Sequence, residues 1–140
     1  MSTSDTIAIL ALAVSLISFW LSYRNTRFTR ILAAAEKRTQ TRSVLVETLL
    51  EVNELLSLVR IATNYKGTDV VFPDGLENVE KELATMAAKI PKRLNWLRDG
   101  GNTDPVKLEE YKSYALEVES GVKRVGPMIR NYDVHVKEVK

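Results

Sequence analysis

The chain has 140 residues, which is enough for one compact domain and too few for two of ordinary size. It contains no cysteine and one histidine, so the composition excludes disulfide frameworks, thiolate metal sites, cysteine nucleophiles and paired-histidine chemistry. The formal net charge of +2 is small, but the charged residues are unevenly distributed along the chain.

The first predicted element is an uncharged stretch at residues 6–23, called here the apolar segment. Nine of its 18 residues are Ile, Leu, Val or Phe. A helix of this length measures about 27 Å, slightly less than the hydrocarbon core of a bilayer at about 30 Å. Those nine side chains favour insertion by about 3 to 5 kcal/mol, and three serines reduce this value. The sequence therefore predicts a transmembrane helix of marginal length.

Two alternative interpretations of the apolar segment are a buried core helix and a cleavable signal peptide. A core helix is expected to have a polar face, whereas this stretch carries no charge on any face. A signal peptide is expected to have a basic region before its apolar run, whereas Met-Ser-Thr-Ser-Asp precedes this one. The Ala-x-Ala-like site at residues 33–35 lies beyond three arginines. An uncleaved membrane anchor is therefore the preferred interpretation.

The end of the apolar segment has the residue types of a membrane interface. Trp20 and Tyr23 lie where an interfacial aromatic belt is expected. Arg24 begins a positive flank that Arg27 and Arg30 continue. We predict that these five residues lie at the membrane surface.

The distribution of charge predicts the orientation of the chain. Residues 24–46 contain six basic residues and one acidic residue, a net charge of +5, whereas residues 47–140 contain 14 basic and 16 acidic residues, a net charge of −2. Before the apolar segment the only charged side chain is that of Asp5. The positive-inside rule then places the C-terminal part in the cytoplasm and residues 1–5 outside a plasma membrane that the chain crosses once.

A stripe of small residues runs along the apolar segment. Its members are spaced by three or four residues and so share one helix face: Ala8, Ala11, Ser15, Ser18 and Ser22. Such a stripe lets two helices approach closely in lipid, and serine hydroxyls can hydrogen-bond across the contact. The stripe is either a helix–helix contact or ordinary filler, and the spacing alone does not decide between them.

Residues 24–43, called here the basic segment, contain no proline or glycine and predict a helix that continues the apolar segment. The basic side chains fall within an arc of about 140°. Near a membrane they would attract anionic lipid head groups, by about 3 kcal/mol for the three closest arginines. A flank that only sets topology is the simplest interpretation. Nucleic-acid binding is disfavoured, because it needs a larger basic surface and the following residues are acidic.

Residues 44–140 are predicted to form a cytoplasmic helical bundle. A heptad-like series runs from Leu45 to Val59, and four further apolar residues widen it into a broad face: Leu50, Leu55, Leu58 and Ile61. The helix is expected to end near residues 64–67. Residues 68–75 are predicted to form a loop, because Pro-Asp-Gly is turn chemistry, and Val70, Val71 and Phe72 are expected to pack on the bundle.

The remaining residues predict two further helices and a short fourth one. The second helix covers residues 76–98, and Pro91 is expected to kink or divide it. The third begins at Thr103-Asp104-Pro105, a capping residue followed by proline. Gly126-Pro127 is expected to break or kink it, and a helix is preferred to a strand for the last residues. The predicted fold is all-α, a single N-terminal transmembrane helix followed by an antiparallel three- to four-helix bundle.

The sequence lacks the side-chain groupings of known catalytic, cofactor and metal sites. The glutamates at positions 47, 51 and 54 share a helix face and are interpreted as a solvated surface. His135 is interpreted as a bystander, and Trp96 as a core aromatic at one end of the bundle rather than a partner anchor. Tyr111 and Tyr114 lie on adjacent faces, so at least one is expected to be exposed.

The sequence therefore favours a membrane-anchored interaction or scaffold protein without catalytic activity. The alternative is a regulatory subunit or membrane-state sensor that relays a signal to the bundle, and an enzyme of unknown type is the least favoured. The expected partners are the bilayer, its anionic head groups, and either a second copy or another membrane or cytoplasmic protein. Neither nucleic acid, a small-molecule substrate nor a cofactor is indicated.

Overall fold

A computed structural model describes residues 3–64, 76–99 and 104–138, with side chains for residues 5–64, 76–99 and 104–131. These residues form three helices and no strand: α1 (Thr3–Asn64), α2 (Leu76–Arg98) and α3 (Pro105–Glu138). The prediction of an all-helical chain is confirmed for the described residues. The predicted loop at residues 68–75 and the side chain of His135 lie outside them.

Helix α1 runs through 62 residues without interruption. It contains the apolar segment, the basic segment and the first predicted bundle helix, whose last described residue is Asn64. Polar side chains along it are satisfied by the helix itself: the Thr26 hydroxyl donates to the Ser22 carbonyl at 2.9 Å, and the Thr29 hydroxyl to the Asn25 carbonyl at 2.8 Å. The continuity agrees with the absence of proline and glycine from residues 24–43.

The chain divides into two compact units, Met1–Lys37 and Arg38–Lys140. The first, called here the N-terminal unit, consists of the beginning of α1, and every described side chain from residue 5 to residue 33 is exposed. The second, called here the C-terminal unit, contains the remainder of α1 together with α2 and α3.

All three helices contribute to one hydrophobic core in the C-terminal unit. The largest completely buried side chains are Leu45, Val52, Leu55, Val59, Ile90, Leu97 and Val122. These residues recur at the three- and four-residue spacing that predicted helices with one buried face. On α2, for example, Leu83, Ile90 and Leu97 are buried at intervals of seven residues.

Two apolar residues assigned to the broad face of the first bundle helix are not part of this core. Leu50 is 67% exposed and Ile61 is 47% exposed. At about 100° per residue, Leu50 lies about 180° around α1 from the buried Val59. The expectation that they widen the buried face is therefore wrong, because the core covers only one side of α1.

The two internal prolines do not divide the helices. Helix α2 continues through Pro91, and α3 continues through Pro127, so the predicted short fourth helix is the end of α3. Both prolines lie on exposed faces of their helices, and each deprives the carbonyl group four residues earlier of its helical donor. Gly126 faces α1, since a Cβ atom there would lie 3.7 Å from Leu55 Cδ1, an ordinary van der Waals distance.

Contacts between the helices of the C-terminal unit define the relative direction of α2 and α3 and link both to α1. A Cβ atom on Gly121 would lie 3.7 Å from Met86, and the rings of Trp96 and Tyr111 are 4.8 Å apart. Later residues of α2 thus meet earlier residues of α3, so these two helices run in opposite directions. Ion pairs link α1 to both neighbours: Arg60 lies 3.5 Å from Glu80 of α2, and Arg130 of α3 lies 3.2 Å from Glu51 and 3.7 Å from Glu54.

The start of α3 matches the prediction from its capping sequence. The Asp104 carboxylate accepts hydrogen bonds from the backbone N–H groups of Val106 at 3.0 Å and Lys107 at 3.4 Å. Pro105 occupies the first helical position, where its missing N–H group costs nothing. At the end of α2, the Asp99 N–H group donates to the Asn95 carbonyl at 3.2 Å.

Candidate membrane-anchoring segment

The apolar segment of α1 exposes its hydrophobic side chains on every side of the helix. Exposed fractions include 73% for Phe19, 68% for Ile7, 64% for Leu12 and 61% for Leu16. Leu12, Leu16 and Phe19 share one side of the helix, and Ile7 lies at least 120° away from them. Leu10 and Ile17, which are also exposed, lie on a further side, so within the described residues no side of the segment is buried. An apolar surface of this extent is unusual for a chain surrounded by water, where large exposed patches mark a contact site.

Among the described residues, α1 is the one helix that is long and apolar enough to cross a membrane. None of its most apolar 18-residue stretch is buried. A core helix of similar composition would be covered by its own protein, as the later part of α1 is in the C-terminal unit. Core helices and signal sequences can have the same length and composition, so the exposure of this segment is a further observation beside them.

The structure brings the five predicted interface residues onto one side of α1, since they are spaced by one, three or four residues: Trp20, Tyr23, Arg24, Arg27 and Arg30. The guanidinium carbon of Arg24 lies 5.5 Å from the centre of the Trp20 ring, a cation–π distance. All five side chains are exposed. An aromatic side chain beside an arginine is suited to the boundary between hydrocarbon and head groups, and the assignment to that boundary stays a prediction.

The predicted small-residue stripe lies on a single face of α1 and is exposed along its whole length. In the described part of the chain, nothing packs against this face. It therefore leaves the helix backbone accessible to another helix. Whether a second helix uses it stays a prediction.

The C-terminal unit contains a cation–aromatic cluster that sequence reasoning missed. The guanidinium carbon of Arg93 lies 3.7 Å from the centre of the Tyr114 ring and 5.5 Å from that of Tyr111. Trp96 packs edge-on against Tyr111, with an interplanar angle of 80°. Each helix supplies two of these side chains at a spacing of three residues, which was visible in the sequence. Their meeting depends on the register between α2 and α3, which was not.

Burial in this cluster leaves polar atoms without hydrogen-bond partners and raises the pKa of a tyrosine. Within the described residues, Arg93 Nε, Trp96 Nε1 and the Tyr114 hydroxyl are buried without a hydrogen-bond partner. Burial raises the pKa of Tyr114, the Arg93 charge lowers it, and Glu117 raises it further, so that the net change is upward. Both Tyr111 and Tyr114 are half-buried, so the expectation that at least one is exposed is wrong.

The three glutamates predicted to share a face of α1 lie at the surface, and two of them also pair with α3. Glu51 and Glu54 both contact Arg130 of α3, whereas Glu47 is exposed and accepts a 3.4 Å hydrogen bond from Ser43. In the described part of the chain, no three acidic or histidine side chains are grouped closely enough to hold a metal ion.

Comparison with known proteins adds no relative from which a role could be transferred. No protein family matches the chain, and no curated protein or solved structure is significantly similar to it.

Proposed function

We propose that the chain is a single-pass membrane protein of the plasma membrane that holds a helical interaction surface on the cytoplasmic side. The observation that carries this proposal is the complete exposure of the apolar segment on a helix long enough to cross a bilayer. In the proposal, α1, α2 and α3 form an antiparallel bundle in the C-terminal unit. The partner is either a second copy or another membrane or cytoplasmic protein.

The energetics of the apolar segment support a membrane location. Nine aliphatic or Phe side chains favour insertion by about 3 to 5 kcal/mol. Arg24, Arg27 and Arg30 would add about 1 kcal/mol each where they reach anionic head groups. Because the positive charge follows the apolar segment, the residues after it are assigned to the cytoplasm.

The apolar interior of the C-terminal unit supports a scaffold role rather than an enzymatic one. Among the described residues of this unit, the buried side chains are almost entirely apolar, and the buried polar residues are Thr41 and Thr48. The Thr48 hydroxyl donates to the Val44 carbonyl at 2.7 Å and is thereby satisfied. A packed helical core can hold the exposed side chains of its helices in fixed positions, which suits a protein that binds a partner through them.

One observation favours a second candidate, a membrane-state sensor. The apolar segment and the core residues Leu45 and Val52 belong to the same uninterrupted helix. A rotation or tilt imposed on one part of a continuous helix would be transmitted along it. A scaffold keeps its partner when an unrelated transmembrane helix replaces residues 6–23, whereas a sensor keeps the partner but loses its response to the membrane.

Fractionation and a topology reporter test the proposal. The full chain should remain in the membrane pellet after alkaline carbonate extraction, and deletion of residues 6–23 should release it. A reporter fused after Lys140 should be active only in the cytoplasm. Release of the full chain by carbonate, or loss of the N-terminal residues by cleavage in mass spectrometry, would contradict an uncleaved anchor.

A further inference from the structure

Helix α1 has an exposed face in the C-terminal unit that carries no charge. It lies opposite the buried core side of the helix and is called here the outer face: Thr39, Ser43, Val46, Leu50, Asn53, Ser57 and Ile61. These residues recur at intervals of four or three, the spacing of a coiled-coil seam. All are exposed, and neither α2 nor α3 covers them.

Two opposite charges flank the centre of the outer face. Arg42 lies about 60° to one side of the seam and Glu47 about 80° to the other. Within the described residues neither forms an ion pair, although Glu47 accepts the hydrogen bond from Ser43. Other charged residues of the same helix differ, since Glu51 contacts Arg130 and Arg60 contacts Glu80. The charges beside Val46 and Leu50 are therefore available to another chain.

The spacing of these charges specifies a direction of pairing. In the heptad notation a to g, Leu50 is at an a position and Val46 is at a d position. Arg42 is then at a g position, and Glu47, five residues later, is at the e position of the next heptad. In a parallel pair of identical helices, g of one chain faces this e position of the other, so two Arg42–Glu47 pairs form by symmetry. In an antiparallel pair, g positions face g positions and e positions face e positions, so no Arg42–Glu47 pair forms.

We propose that the outer face of α1 binds a second copy of this chain in parallel. The inference rests on the proposed function, because two copies inserted in the same direction present their outer faces with the same polarity. Val46 and Leu50 are the apolar residues at the centre of the seam, while Ser43, Asn53 and Ser57 are polar. Such a seam is weak between freely diffusing chains, and confinement to one membrane raises the effective concentration that it needs.

Single cysteines test the contact cleanly, because the chain contains none of its own. Ser43→Cys and Ser57→Cys are nearly isosteric changes at two a positions, 14 residues or about 21 Å apart on α1. Under mild oxidation of the full chain in its membrane, each variant should form a disulfide-linked dimer with itself. The matched controls are Ser113→Cys and Ser120→Cys, exposed serines of α3, which should remain monomeric.

Mixed samples determine the direction. An antiparallel pair with Val46 opposite Leu50 would crosslink when Ser43→Cys and Asn53→Cys chains are mixed and would not crosslink in either variant alone. That result would overturn the proposal. Crosslinks to a different protein, or none from a chain that resists carbonate extraction, would also overturn it while leaving the membrane anchor intact. Release by carbonate would instead refute the anchor, and the crosslinks would still report on the outer face.

Charge reversal provides an independent readout. In a Ser43→Cys background, Arg42→Glu should lower the crosslinked fraction about threefold, because both symmetric pairs become repulsive. Glu47→Arg should have the same effect, and the double exchange should restore the dimer. A mixture of the two single variants should crosslink preferentially between unlike chains, since each pair again joins opposite charges. Equal crosslinking in all four samples would contradict the assigned charge contact.

Discussion

The two parts of α1 differ in how their apolar residues are arranged around the helix, although their residue types are similar. In the apolar segment these residues occupy every face, and none is buried. Between Leu45 and Val59 they concentrate on one face, which is buried against α2 and α3. A helix with one apolar face buries that face against its own protein, whereas a helix that is apolar on all faces is typical of a membrane span or of a core helix surrounded by other elements.

The two parts of α1 also differ in the surroundings of their exposed apolar side chains. Leu50 is about as exposed as Leu16, at 67% and 61%. Leu50 lies on a face whose other members are mostly polar, whereas Leu16 is surrounded by further exposed apolar residues. Single exposed leucines are common in water-soluble proteins, but contiguous ones covering a whole helix are not.

The strongest test of this difference introduces charge into the apolar segment. Val14→Arg combined with Ile17→Arg should abolish membrane retention, because each arginine near the centre opposes insertion by about 2.5 to 3.5 kcal/mol. The pair outweighs the about 3 to 5 kcal/mol that favours insertion. Carbonate extraction measures the change. Leu116→Arg, at an exposed leucine of α3, should leave retention intact, and equal loss in both variants would contradict the assignment.

A pair of leucines on the same helix tests the buried part. Leu55→Ala should lower the free energy of unfolding of the C-terminal unit by about 2 to 5 kcal/mol, because Leu55 is completely buried. Leu50→Ala should change it by less than about 0.5 kcal/mol, because Leu50 faces outward. Chemical denaturation in detergent, at dilutions where the full chain is monomeric, measures both changes, so that a contact between copies through Leu50 does not contribute. Similar losses would mean that the outer face is covered in the monomer.

Sequence reasoning located the helices well where hydrophobic spacing is regular. The buried positions of α2 and the Asp104 cap follow from local patterns that need no knowledge of the partner helix. Sequence reasoning failed where the burial of a residue or the continuity of a helix depends on more than one element. The continuity of α3 through Pro127 depends on which face of that helix is exposed. Whether Leu50 is buried depends on how much of α1 the other helices cover.

The Arg93 cluster is the clearest case of information that the sequence does not contain. Arg93 and Tyr114 come from helices whose register is set by the whole core, and the connecting residues give no indication of it. We expect Arg93→Ala to lower the free energy of unfolding by about 1 kcal/mol through loss of the aromatic contacts. Lys92→Ala, at the exposed neighbouring residue, is the control and should have no measurable effect. Equal stability of all three chains would show that the stacking contributes nothing.

The small-residue stripe is tested by filling it. Ser15→Leu with Ser18→Leu should weaken self-association of the apolar segment in a membrane two-hybrid assay, by about 1 kcal/mol or less, because bulky side chains keep two helices apart. Ala13→Leu is the matched change on the opposite face and should have no effect. An unchanged signal from the serine variants would assign these residues to ordinary filler.

The smallest expected effect concerns the ionisation of Tyr114. Burial raises its pKa in the folded chain, while the unfolded chain keeps the ordinary tyrosine value of about 10. Below pH 10 both states hold the proton, so this residue causes no pH dependence of stability there. As the pH rises from about 10 through the raised folded value, the unfolded chain loses its proton first, and the stability of the folded chain declines.

Tyr114→Phe removes this titration together with a buried hydroxyl that has no partner among the described residues. The variant should be at least as stable as the original chain at pH 8, because an unsatisfied buried hydroxyl contributes no favourable hydrogen bond. Its denaturation midpoint should then fall less steeply above about pH 10 than that of the original chain. Identical slopes would mean that the Tyr114 hydroxyl reaches water in the folded state, and the cluster with Arg93 would then be open at its edge rather than closed by α2 and α3.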